Sequence, residues 1–182
     1  MEKGFVIWIT GLPASGKTTI ARIVADKLRS IGLKVEMLDG DEVRKWLSPE
    51  AGFTREDRER HLRRVAYVSK LLARNGVAVI ASFVSPYRKI RSEIRQIIEN
   101  ENIPFIEVYT KCSLQKCIER DPKGLYKKAL AGEIKHFTGL DDPYEEPENP
   151  EITLDTENTP PEENAKKLLN YIKENILTPT NK

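Results

Sequence analysis

Two hydrophobic periods alternate along the chain. Phe5-Val6-Ile7-Trp8-Ile9 is a continuous apolar run of strand length. Beyond a polar loop, Ile20, Ala21, Val24, Ala25 and Leu28 recur at helical spacing on one face. Lys34-Val35-Glu36-Met37-Leu38 reads as a second strand ending at Asp39-Gly40-Asp41, and a short helix over 41–47 stops before Pro49. Thr54 with Asp57 is the start signal of a long helix, striped by Leu62, Val65, Ala66, Ser69, Leu72 and Ala73 and ended by Asn75-Gly76. Val77-Ala78-Val79-Ile80-Ala81 has no polar face, as expected of a strand covered on both sides. Ser85-Pro86 starts the next helix, with proline at the first helical position. Residues 104–109 and 152–154 are the fourth and fifth strands, and Thr159-Pro160-Pro161-Glu162 opens a last helix to about residue 175. This alternation predicts an α/β fold of three layers, α/β/α, around a mostly or wholly parallel five-stranded sheet. A single domain is expected over 1–177, with a frayed tail over 178–182. The segment 121–148, rich in Lys, Gly, Asp and Pro, breaks the pattern and is expected to form a helix and a mobile lid.

In such a sheet ligands lie at the carboxyl ends of the strands. Gly11-Leu12-Pro13-Ala14-Ser15-Gly16-Lys17-Thr18 leaves the first of these ends and fits G-x-x-x-x-G-K-[ST] in full. The glycines let backbone N–H groups surround phosphate oxygens, and the following helix points its positive end at them. Lys17 is then expected at the β/γ-phosphates and the Thr18 hydroxyl on Mg²⁺. The fold is thus expected to be of the P-loop NTPase type. A guanine-reading N/T-K-x-D element is missing, since Thr110-Lys111-Cys112-Ser113 lacks the aspartate. With 182 residues the chain is also too short for a large motor ATPase, which leaves a small phosphotransferase. Asp39 and Asp41 end a strand beside the phosphate site, where carboxylates hold metal-bound water, orient a hydroxyl or accept its proton. Helix capping is the competing role for Asp41.

Composition narrows the partners. Thirty basic and 28 acidic residues leave a net charge of +2, which argues against a dedicated nucleic-acid binder. No apolar run has the length of a membrane span, and no N-terminal signal is visible. Cys112 and Cys117 are expected on one helix without facing each other, as reduced thiols of a cytosolic protein. Basic residues do cluster locally: Arg44, then Arg58, His61 and Arg64 at three-residue steps, then Arg88 and Arg91 after Ser85-Pro86-Tyr87. Arginine forks suit phosphate and sulfate oxygens. Phe53 and Phe137 stand in polar surroundings and are candidates to sandwich a base.

Several separate blocks together resemble the adenylyl-sulfate kinase (APS kinase) family, from about residue 4 to residue 175. They are Gly11 to Thr19; Leu38-Asp39-Gly40-Asp41 with Arg44; Gly52-Phe53-Thr54 with Asp57-Arg58; Ser82-Phe83-Val84-Ser85-Pro86-Tyr87-Arg88; Arg120-Asp121-Pro122-Lys123-Gly124-Leu125-Tyr126-Lys127-Lys128-Ala129; and Gly132-Glu133-Ile134-Lys135 leading to Phe137-Thr138-Gly139. The resemblance implies transfer of the ATP γ-phosphate to the 3′-hydroxyl of adenylyl sulfate, with Mg²⁺. It implies catalytic roles for Lys17, Asp39, Lys123 and Ser85, of which Ser85 is expected to position rather than to carry phosphate. ATP would meet residues 11–19, Gly11, Leu12, Pro13, Ala14, Ser15, Gly16, Lys17, Thr18 and Thr19, and its adenine Arg120 and the loop at Thr159. Adenylyl sulfate would meet Asp41, Arg44, Phe53, Arg58, His61, Val84, Ser85, Lys123, His136 and Phe137, and the metal Thr18 and Asp39. The family often carries Asn where this chain has His61, so a charge change near pH 6.5 would make substrate affinity pH dependent. A cytoplasmic homodimer with a functional link to an ATP sulfurylase is also implied. Two alternatives are a kinase of another small hydroxyl compound and an inactive nucleotide-binding regulatory subunit.

Overall fold

A computed structural model describes residues Gly4–Thr178, with only the backbone described at Asp41. Among these residues the elements alternate as the sequence predicts. They are β1 (Val6–Thr10), α1 (Lys17–Ser30), β2 (Val35–Asp39), α2 (Gly40–Leu47), α3 (Arg55–Arg74), β3 (Ala78–Ser82) and α4 (Arg88–Glu99). Then follow β4 (Phe105–Lys111), α5 (Leu114–Arg120), α6 (Leu125–Leu130), β5 (Ile152–Asp155) and α7 (Pro161–Ile172), with a π-helical turn Lys173–Leu177. The expected frayed tail lies outside the described residues from 179 onward.

The five strands form one parallel sheet in the order β2-β3-β1-β4-β5. The wholly apolar strands sit centrally because only they tolerate cover on both faces. Ile7 and Ile9 of β1 pack with Ile20, Val24 and Leu28 of α1 and Leu168 of α7. Val6 and Trp8 pack on the other face with Leu62 and Val65 of α3 and Ile90 and Ile94 of α4. A smaller cluster of Cys112, Cys117, Tyr126 and Phe137 lies under the lid segment.

The Thr54 signal is realised: its side chain accepts the Asp57 N–H at 3.2 Å and caps α3. Two other start signals are not. α2 begins at Gly40, so Asp39 holds the cap position and Asp41 falls in the first turn. The fourth helix begins at Arg88, not at Ser85-Pro86. Ser85 has φ 48°, whereas an N-cap residue takes extended dihedrals, so the chain turns sharply there before the helix. The first N–H of α4 is instead taken by Glu145 Oε2 at 2.7 Å. Cys112 precedes α5 rather than lying on it, which folds its thiol back onto Cys117.

Gly4 enters β1 against the α3–β3 connection, donating to Ala73 O at 2.6 Å. A Cβ there would lie 2.0 Å from Val77 O, a backbone atom that cannot step aside. The Gly4→Ala variant is expected to lose about 2–3 kcal/mol through overpacking, roughly 5–10 °C of melting temperature. A thermal melt within 1 °C of the parent would contradict this packing.

Candidate active site

Residues 11–16 join β1 to α1 and enclose the first strand end. Two left-handed residues make the loop possible, Ala14 at φ 63° and Gly16 at φ 87° immediately before the helix. Ser15 Oγ pairs with Thr110 Oγ1 at 2.7 Å, and that threonine donates to Thr10 O at 3.0 Å. Tyr126 of α6 donates to Pro13 O at 2.9 Å and holds the loop from the lid side. Lys17 is buried, donating to Gly11 O at 3.0 Å and Leu12 O at 2.7 Å. Burial pushes its pKa down to about 8; Cys117 and Asp39 oppose this and Lys123 adds to it. An ammonium so poorly solvated gains from any anion brought into the loop. Thr18 stands half-buried in the first turn of α1, and Thr19 is exposed.

The ends of β2 and β3 complete this side. Parallel register sets Asp39 beside Ser82, and Ser82 beside Ile9. Asp39 follows Val35 and Met37, and Ser82 follows Ala78 and Ile80, on the face turned to α1. Ser82 Oγ is buried without a hydrogen-bond partner among the described residues. A carboxylate, a threonine hydroxyl and this orphaned hydroxyl therefore gather near Lys17. Such a hard-oxygen set suits Mg²⁺, which takes few protein ligands and fills its shell with water and phosphate. Lys123 is exposed, close enough for its charge to be felt at Lys17.

Arg44, Phe53 and Arg58 gather on the side of α2 and α3, whereas Phe137 packs beside the phosphate loop with Leu12 and Tyr126. Arg44 donates to Ala51 O at 3.3 Å and to Gly52 O, and its guanidinium lies 4.8 Å from the Phe53 ring centroid. Phe53 is 64 % exposed, so it is no core anchor. Phe137 is buried instead, edge-on to Tyr126 at 4.9 Å. Arg58 reaches into the lid: it donates to Thr138 Oγ1 at 3.0 Å, Asp142 Oδ2 at 2.8 Å and the His136 carbonyl. His136 itself is exposed and contributes through this carbonyl. Val84 is half-buried and Ser85 is buried, in the turn that leaves β3. On the nucleotide side, Arg120 donates to Thr156 O at 2.6 Å, which brings it to the loop containing half-buried Thr159. The side chain of Asp41 lies outside what the structure describes.

Three arginines and the thiols depart from expectation. Arg64 is taken up by Leu47 O at 2.8 Å, Ser48 Oγ at 3.1 Å and Glu50 at 2.6 Å. Arg88 and Arg91 are taken up by residues 145–148 and by Glu107. Cys117 is pushed up to about 12 by burial first, then by its hydrogen bond with Cys112. Sequence reasoning also missed the run Asp141-Asp142-Pro143-Tyr144-Glu145, where four of five side chains bond another part of the chain. Asp141 accepts the His136 and Phe137 N–H groups at 2.7 and 2.6 Å, and Tyr87 donates to Asp142 at 2.7 Å. Tyr144 OH pairs with Thr10 Oγ1 at 2.9 Å. An acidic and aromatic run inside an otherwise loop-like stretch was the available signal.

His61 is buried on α3 with its ring edge toward Phe83. Its Nδ1 meets Ser48 Oγ at 2.9 Å. That oxygen also accepts from Arg64 Nη1 at 3.1 Å. Nε2 has no partner among the described residues. Burial, then Arg44 and Arg64, lower the pKa to about 4, which corrects the expectation of a charge change near pH 6.5. A histidine held neutral costs stability as acid protonates the unfolded chain, so this contribution is present above pH 6.5 and is lost as pH falls toward 4. Ring NMR, with a His61→Asn variant to assign the signals, should find one imidazole still neutral at pH 5.5. A midpoint near 6.5 for His61 would overturn the assignment.

Comparison with known proteins agrees with this arrangement. The family model described as adenylylsulphate kinase matches residues 3–155. A probable adenylyl-sulfate kinase of Aeropyrum pernix is 58 % identical over 173 residues, covering 95 % of this chain and 94 % of the relative. A probable bifunctional SAT/APS kinase 2 of Sorangium cellulosum is 50 % identical over 171 residues, which are 94 % of this chain and 29 % of that protein. The structure of the Mycobacterium tuberculosis APS kinase CysC in complex with AMPPNP and APS superposes with a TM-score of 0.92 at 40 % identity, covering 95 % of this chain and 99 % of that one. With a phosphate loop, an acidic strand end and a basic-aromatic cluster on one sheet edge, and with a family model matched over most of its length, the chain belongs to the adenylylsulphate kinase family.

Proposed function

We propose that this protein transfers the γ-phosphate of ATP to the 3′-hydroxyl of adenylyl sulfate, giving ADP and 3′-phosphoadenylyl sulfate. The observation that carries this reading is the convergence of two unlike surfaces on one sheet edge. Lys17 and Asp39 lie toward α1, and Arg44, Phe53, Arg58 and the Val84–Ser85 turn lie toward α3. The substrate hydroxyl oxygen forms a bond to the γ-phosphorus as the bond to the β-phosphate bridging oxygen breaks, and the hydroxyl proton passes to the Asp39 carboxylate. Lys17 and Lys123 neutralise charge on the moving phosphoryl group, which a loose transition state requires more than a strong base. Asp39 orients the hydroxyl. Thr18 and Asp39 would hold Mg²⁺, which would supply further charge neutralisation. Arg44 and Arg58 bind the phosphosulfate region, and Phe53 and Phe137 flank the adenine; Phe137 would need to expose more of its ring to do so. His61 offers the substrate its ring Nε2, which has no partner among the described residues, where the family often carries an asparagine amide. Ser85 positions the substrate: its hydroxyl is already engaged, accepting from Trp8 Nε1 at 2.9 Å and donating to Phe83 O at 3.2 Å. Arg120 and Thr159 border the ATP adenine.

A homodimer in the cytoplasm belongs to the same reading, supported by the family resemblance. Among the described residues no helix is long and apolar enough to cross a membrane. The fused SAT/APS kinase arrangement of the Sorangium relative supports a functional link to a sulfurylase. Coupled ADP release with ATP and Mg²⁺ tests the reaction, with adenylyl sulfate, AMP and adenosine compared side by side. Turnover with adenylyl sulfate alone is expected; turnover with another hydroxyl compound but not with it would refute the substrate. Lys17→Ala should lower kcat by about a thousandfold while the melting temperature holds. Near-parental turnover in that variant would remove Lys17 from the mechanism.

A further inference from the structure

Arg91 is a buried cation outside every role assigned above. It stands on α4, 4 % exposed, with its Nε 3.1 Å from Glu107 Oε1 of β4. Its two remaining donor nitrogens reach two different segments, which also meet through the Glu145 N–H on Pro86 O at 2.8 Å. Nη1 donates to Ser85 O at 2.6 Å, and Nη2 donates to Glu145 O. One planar fork therefore ties the turn after β3 to the irregular strap at 141–146.

What it ties is strained. Ser85 holds φ 48°, a left-handed conformation that is unfavourable for a non-glycine residue and persists only when its surroundings enforce it. Three donors do so: Trp8 Nε1 on Ser85 Oγ, Thr10 Oγ1 on Val84 O at 2.6 Å, and Arg91 on Ser85 O. Two of the three groups also grip the strap, since Thr10 pairs with Tyr144 OH and the Arg91 guanidinium lies 5.7 Å from the Tyr144 ring centroid. The strap in turn carries Asp142, which holds Arg58. Burying a charge for packing alone is poor economy, because desolvation rivals the gain from pairing. Fixing two carbonyls at once, by contrast, needs the rigid fork that only arginine provides.

We propose that Arg91, oriented by Glu107, is a positioning residue: it fixes the Ser85 turn and the 141–146 strap as one unit and so shapes the adenylyl-sulfate side of the site. The inference rests on the proposed reaction for its kinetic consequence and on the hydrogen bonds alone for its mechanical one. Arg91→Lys keeps a cation opposite Glu107 and cannot span both carbonyls. It should raise KM for adenylyl sulfate about tenfold or more and leave KM for ATP within about twofold, because no hydrogen bond joins Arg91 to residues 11–18. Tyr144→Phe removes a single hydroxyl with little risk to folding; it should raise the same KM by a smaller factor. Its effect should be less than additive with Arg91→Lys, because both loosen one unit.

Amide hydrogen exchange of the ligand-free proteins gives a readout that needs no turnover. Arg91→Lys should speed exchange at 84–87 and at 141–146 together and leave 15–20 unchanged. Faster exchange at only one of the two segments, or equally across the sheet, would overturn the proposal. So would unchanged KM for adenylyl sulfate in both variants when the parent enzyme is active. A parent without turnover on adenylyl sulfate would refute the proposed reaction, and the exchange result would still decide the coupling.

Discussion

Strand register at the carboxyl edge is the constraint on which the site depends. Asp39, Ser82 and Ile9 stand in line across three parallel strands. Alternation then sends Asp39 and Ser82 toward α1, where Lys17 begins the helix, and sends Phe83 toward α3 and His61. A slip of one residue would exchange the two faces and carry the acidic group away from the phosphate loop. The register is secured by the buried strands themselves, since β1 and β3 have no exposed position that could accept a polar misalignment.

Charge is the second organising element. The whole chain is close to neutral, yet its carboxyl edge gathers Lys17, Lys123, Arg44 and Arg58. Two triphosphate- and phosphosulfate-sized anions brought together repel each other, and fixed cations in a poorly solvated cleft offset that repulsion far better than solvent ions do. His61 adds no charge at neutral pH, because burial, and then the nearby Arg44 and Arg64, hold its ring neutral. The arginines of the cluster therefore keep their charge without a titrating histidine beside them, whereas burial brings the pKa of Lys17 down to about 8.

The irregular chain does more than close the site. Residues 136–146 have little regular structure, yet they bond to α3 through Arg58, to β1 through Thr10, and to α4 through Arg88 and Arg91. A cavity of about 570 Å³ results between Leu12 of the phosphate loop, Tyr109 at the end of β4 and Tyr144 of the strap. Only Leu12 among the residues expected to bind ATP lines it, so it lies beside the phosphate loop rather than within it.

The sequence by itself determined the layers, the strand count, the phosphate loop and the cap at Thr54, because these rest on local periodicity, glycine spacing and a three-residue hydrogen bond. It also supplied Asp39, Arg44, Phe53 and Arg58 as a set through family-like blocks. Tertiary structure decided everything that depends on which distant group arrives first. Glu145, not Ser85, takes the first N–H of α4. Arg88 and Arg91, identical in pattern to anion-binding arginines, are captured by the strap and by Glu107. His61 loses its titration to burial beside two arginines, and Cys112 meets Cys117 because β4 ends before the helix begins. The residue type sets what a side chain can bond, while the partner is set by the packed chain, whether it lies 57 positions away as Glu145 does from Arg88 or five as Cys117 does from Cys112.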